Sequence, residues 1–188
     1  EPRLAMEIVY RFGAIPAVLL GDAELPDALG ALPAWATVFS SMFLHGGWLH
    51  LLGNMLYLWL FGNNVEDAMG HGRFIVFYLV CGILAILAHG IAEPASEIPT
   101  IGASGAISGV LGAYLVLHPR SRVLVLIFLG FFIQTVRLPA ALVLGFWIVV
   151  QLFSAVTTSS EASGVAVFAH IGGFVAGMVL VHVFRRRA

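Results

Sequence analysis

The sequence predicts an all-α protein, a polytopic transmembrane helix bundle with five spans inside the chain. Three observations predict it. Of the 188 residues, 60% are hydrophobic and only 10% are charged, against about 25% charged in soluble domains. Five apolar stretches of spanning length follow one another, near 47–64, 74–92, 101–118, 138–156 and 164–184. The arginines also sort by side. If those five stretches cross and nothing else does, Arg73, Arg120, Arg122, Arg137 and Arg185 to Arg187 fall together, with only Arg3 and Arg11 opposite. The Arg-rich side is then the cytoplasm.

Composition also narrows the function classes. With a net charge of −1 and no lysine, the chain has no basic patch to hold nucleic acid. Cys81 is the single cysteine. It cannot form an internal disulfide, and in its apolar run it reads as a packing residue. There is no repeat of the kind that builds transporters.

Residues 1–46 mix acids, prolines and aromatics without a long apolar run, so they read as an outer loop region. Met6 to Phe12 and Trp35 to Leu44 have the aromatic and aliphatic content to lie among lipid headgroups. The whole of 1–188 is expected to form one membrane domain, with 47–188 as its five-span core. The first span then runs from outside to inside, which requires an earlier transmembrane helix to carry residues 1–46 across. Between the third and fourth spans, Val123 to Ile133 is apolar but only eleven residues long. That is too short for a helical crossing, so an interfacial or re-entrant segment is expected.

The third stretch carries the chemistry of interest. Ile101 to His118 read as one helix would be about 27 Å long, with Ser104 in its first turn. Backbone N–H groups there lack intrahelical acceptors and sit at the positive end of the helix dipole, a suitable place for a nucleophile. Gly105, Ser108, Gly109 and Gly112 also make a small-residue face, which by itself signals only helix packing.

Polar residues of other spans share its depth. His50 and Asn54 lie four apart, on one face of the first span, and His170 lies near the outer end of the fifth. Ionisable groups inside a membrane are costly and point to a site, although a histidine near the membrane edge can equally reach water. Gly173 and Gly177 repeat the small-residue spacing of Gly105 and Gly109, so spans three and five can approach closely enough to join Ser104 to His170. No acid lies in either span to orient the histidine. The arrangement is therefore a Ser-His dyad, with His50, Asn54 and the Ser104 N–H as oxyanion donors. His45 and His50 are five residues apart and would diverge on one helix, and there is no His-Glu-x-x-His; neither a metal nor a cofactor is expected. His71, His89, His118 and His182 read as structural.

These motifs together resemble the rhomboid family of intramembrane serine proteases. The resemblance covers most of the chain: His45-Gly46-Gly47-Trp48, His50-x-x-x-Asn54, Glu66, Gly102-x-Ser104-Gly105 and Ala169-His170-x-Gly172-Gly173. It implies a six-helix core whose first helix is missing here. It also implies Ser104 as nucleophile, His170 as general base, and His50 and Asn54 as oxyanion side chains. The chain departs from some relatives in having Ser108 where an aromatic would stack on the catalytic histidine. It also has Trp35-Ala36 in place of a Trp-Arg pair.

The expected activity is cleavage of transmembrane or membrane-proximal segments of other proteins, in the bilayer, with the site facing the non-cytoplasmic side of a prokaryotic plasma membrane. The alternative is a non-catalytic rhomboid-like protein that binds transmembrane helices for quality control. A small transporter is a third class, but Gln134, Gln151 and Ser154 are too few polar groups for a path through the bundle. Substrate entry is expected past the fourth span, with its bulky Phe146, Trp147 and Phe153, and the polar stretch Thr157 to Gly164 as a lid.

Overall fold

A computed structural model of the protein describes residues 2–129, 132–157 and 166–186. Three short helices come first: α1 (Pro2–Phe12), α2 (Pro16–Leu19) and α3 (Ala34–Ser40), the last continued by a 3-10 turn over Ser41–Phe43. Then follow α4 (Trp48–Met69), α5 (His71–Ala92), α6 (Ser104–Leu117), α7 (Ala140–Thr157) and α8 (Val167–Phe184). The two strands β1 (Arg122–Leu129) and β2 (Phe132–Pro139) lie between α6 and α7. The chain is thus mostly helical, and α5, α7 and α8 are long and apolar enough to cross a membrane.

α6 is the axis of the bundle. Every residue from Gly105 to Tyr114 is buried, with α8, α5 and α4 packed around it. Its apolar composition on all sides fits an enclosed position. At 14 residues it is about 21 Å long, shorter than the 101–118 stretch and shorter than a hydrocarbon core of about 30 Å. The helix begins at Ser104 because Gly102 has a φ of +114°, outside any helical conformation.

The glycines of α6 and α8 bring the two backbones together. A Cβ on Gly173 would overlap the Gly105 carbonyl, and one on Gly177 would overlap that of Gly109. Only side chains no larger than hydrogen allow this approach, which maximises dispersion contact where lipid offers no hydrophobic drive.

Residues 122–129 and 132–139 pair as the two strands of a β-hairpin. Its antiparallel register runs from Arg122↔Pro139 to Leu129↔Phe132. Along β1, Leu124 and Leu126 are exposed while Val123, Val125 and Ile127 are half-buried, the two faces that a strand presents in turn. A two-stranded hairpin leaves edge N–H and C=O groups without strand partners, an arrangement that lipid-exposed hydrocarbon does not tolerate.

Of the N-terminal helices, α2 and α3 pack against α5. Trp35 and Trp48 are 70% and 78% exposed, as expected of aromatic rings meeting headgroups. Ala14 and Thr100 exchange backbone hydrogen bonds of 3.0 and 2.7 Å, and the Gly102 N–H donates to the Ser41 carbonyl at 2.8 Å. The loop leading into Ser104 is therefore fixed from both sides.

Candidate active site

Ser104 is the first residue of α6 and His170 the fourth of α8. The close glycine contact between those helices sets their spacing. Ser104 Oγ lies 2.9 Å from His170 Nε2, the distance of a normal hydrogen bond. In the first turn of α6 the Ser104 N–H has no preceding carbonyl within the helix, so it can face an anion.

His50 approaches from α4. Its Nδ1 accepts a hydrogen bond from the Gly46 N–H at 3.3 Å, so in the neutral ring the proton resides on Nε2. That nitrogen faces Gly102, where an added Cβ would come within 2.6 Å of it. Gly102 is thus required twice, for its positive φ and for the space that His50 occupies. Asn54, one turn further along α4, is 8% exposed, and its Nδ2 is buried without a partner among the described residues. An unpaired buried donor costs about 1–3 kcal/mol. It becomes useful when an acceptor arrives, and it borders the same space, since a Cβ added at Gly102 would lie 3.7 Å from it. The structure therefore gathers Ser104, His170, His50 and Asn54 around one space.

Two cavities open onto that space. One, of about 320 Å³, reaches Met42, Gly82, Ile86 and Ala106 on the α5 side. The other, of about 290 Å³, lies between α4 and α7, bounded by Leu49, Gly53, Tyr57 and Trp147, and touches both Ser104 and His170. α7 is loosely held: its buried residues are Ala140 and Leu144, both in its first two turns. Phe146 and Phe153 are 72% and 66% exposed.

Three details differ from sequence expectation. His45 does not diverge from His50: α4 starts only at Trp48, so His45 lies in the preceding loop, its ring 5.1 Å from that of His50. Trp147 does not face outward with Phe146 and Phe153. It lies against His170 and Phe174, at ring-centroid distances of 6.0 and 5.8 Å. Gln151, one turn beyond Trp147, brings its Oε1 to 3.4 Å from His170 Nδ1. The available signal was the i, i+4 spacing of an indole and an amide within an apolar span. Of the Thr157 to Gly164 stretch expected as a lid, 158–164 lies outside the described residues.

Among known proteins, the rhomboid domain family matches residues 33–187. The chain is 33% identical over 172 residues to "Rhomboid protease GluP" of Bacillus subtilis, covering 91% of this chain and 28% of that protein. It is 34% identical over 112 residues to "Putative rhomboid protease YdcA" of the same organism, covering 57% and 56% respectively. Similarity to "RHOMBOID-like protein 1" of Arabidopsis thaliana is 32% over 175 residues, 88% of this chain and 41% of the plant protein. The chain thus spans between 28% and 56% of the length of these relatives.

Proposed function

Because the chain belongs to the rhomboid family, a family of multi-pass membrane proteins that includes serine proteases, we infer that it is an intramembrane serine endopeptidase. In this reading its single membrane domain acts on transmembrane segments of other proteins. The observation that carries this is the 2.9 Å contact between Ser104 Oγ and His170 Nε2, made at the start of a short central helix. Ser104 attacks the scissile carbonyl as His170 Nε2 takes its proton; the negative oxygen is met by the Ser104 N–H, His50 Nε2 and Asn54 Nδ2. His170 then passes the proton to the leaving amine. A water attacks the acyl-enzyme by the same relay, and Ser104 is regenerated. No metal or cofactor takes part.

Purified protein in proteoliposomes, mixed with a model transmembrane substrate, should yield two fragments whose new ends map to the outer part of the substrate's span. Binding of that substrate without any fragment would support the non-catalytic, helix-binding alternative instead.

The oxyanion roles make a separate prediction. Asn54→Ala and His50→Ala should each lower kcat by about 10- to 1000-fold with KM nearly unchanged, because a backbone donor persists. A change confined to KM would place these side chains in substrate docking.

The cavity between α4 and α7 supports lateral entry there. A substrate helix must unwind to present an extended bond, and its freed backbone groups need protein or water around them. A disulfide joining α4 to α7 across that cavity should stop cleavage of transmembrane substrates, and reduction should restore it. Cys81→Ala is the suitable background, since Cys81 is wholly buried and alanine adds no polar group. Full cleavage by the crosslinked protein would direct attention to the 1–46 region. Phe153→Ala should loosen the entry and raise turnover. Trp147→Ala should not, because that ring packs on His170.

A further inference from the structure

α7 presents Trp147 and Gln151 on one helix face, and both meet the same imidazole. The indole lies 6.0 Å from the His170 ring at an interplanar angle of 37°. The Gln151 Oε1 lies 3.4 Å from Nδ1 while Nε2 holds Ser104 Oγ at 2.9 Å. A neutral imidazole carries one proton, on one nitrogen or the other. Nε2 can accept the serine proton only if that proton is on Nδ1, and an Nδ1–H in apolar surroundings needs an acceptor.

We propose that Gln151 is the positioning residue of this site, its side-chain carbonyl accepting the Nδ1 proton of His170 and holding the imidazole in the tautomer whose Nε2 faces Ser104. The proposal rests on the reading of Ser104 and His170 as the dyad.

A second observation shows why the support comes from α7. Position 108 lies one turn after Ser104, and its hydroxyl is turned back to the Ser104 carbonyl at 2.7 Å. Its hydroxyl proton is committed to that carbonyl, and it brings no ring to His170. Trp147 and Gln151 supply a ring and an acceptor from a different helix. When His170 takes the serine proton, the Nδ1–H···O bond gains charge assistance and strengthens. The benefit is therefore greatest in the transition state and falls on kcat rather than KM.

Two measurements test this, one independent of turnover. In protein carrying 15N-histidine, with the His170 signals assigned by their loss in His170→Ala, the wild type should show Nδ1 as the protonated ring nitrogen. Gln151→Met, similar in length but without a carbonyl, should shift the ring toward the other tautomer. In cleavage assays Gln151→Met should lower kcat by about 10- to 100-fold, by analogy with the loss when a group orienting a metal-bound histidine is removed. Its KM and thermal midpoint should stay near wild type. Gln151→Glu, which restores an acceptor, should recover most of the loss. An unchanged tautomer in Gln151→Met, or Gln151→Glu as slow as Gln151→Met, overturns the proposal. Ser104→Ala assayed in parallel keeps the cases apart: if it still cleaves, the dyad itself is wrong, whatever Gln151 does to the imidazole.

Discussion

Ser104→Ala is expected to reduce cleavage to background while leaving the protein folded. Ser104 is only half-buried, and its hydroxyl meets His170 at the rim of two cavities. Its removal leaves the glycine contacts between α6 and α8 untouched. Soluble serine proteases lose about 10⁶-fold in kcat on such a change, and a similar loss would leave no measurable product. His170→Ala should be equally inactive, because without the base the hydroxyl is a poor nucleophile. The double variant should be no slower than either single one, as holds for residues acting as a unit. A double variant far slower than both would mean that the two residues act separately. Thermal unfolding of each variant, measured beside turnover, separates lost chemistry from lost structure.

The second large effect should come from a residue without chemistry. Gly177→Leu is expected to lose nearly all activity and to lower thermal stability. A Cβ at Gly177 already overlaps the Gly109 carbonyl, and leucine adds three further carbons. Overpacking of this kind costs about 1–3 kcal/mol. The helices must also part, and a displacement of about 1 Å at a reacting pair can cost 10²-fold in rate. The hydrogen bond between Ser104 and His170 depends on that spacing. Gly145→Leu is the control: on α7, an added Cβ at Gly145 meets nothing within 4 Å, so stability and turnover should barely change. A Gly177→Leu variant as stable and active as wild type would show that the close approach does not set the site's geometry.

Much of the helical architecture was legible because apolar runs of spanning length have few other uses. The positions of α4 to α8 follow those runs. The facing glycines were legible too, since Gly105 and Gly109 share their spacing with Gly173 and Gly177, and the structure pairs Gly105 with Gly173 and Gly109 with Gly177. What escaped depended on rotation and on local backbone. Hydropathy marks Phe146, Trp147 and Phe153 alike; only the packing of α7 turns Trp147 and Gln151 toward His170. The 122–139 hairpin escaped because a short apolar run has no period long enough to separate strand from helix. The start of α6 at Ser104 depended on a positive φ at Gly102, which a glycine permits but does not announce. His45 was misplaced by extending α4 backward past Gly46 and Gly47, where the chain turns instead.

Ser104 must be an activated nucleophile if this chain is a protease, and covalent labelling reads that most directly. The purified protein would be treated with a fluorophosphonate probe, which reacts with activated serines without any substrate docking, and the adduct located by mass spectrometry of its peptides. The predicted result is one adduct, on Ser104, formed rapidly by wild type and lost in His170→Ala. An adduct on another residue, or labelling undiminished in Ser104→Ala, would contradict it.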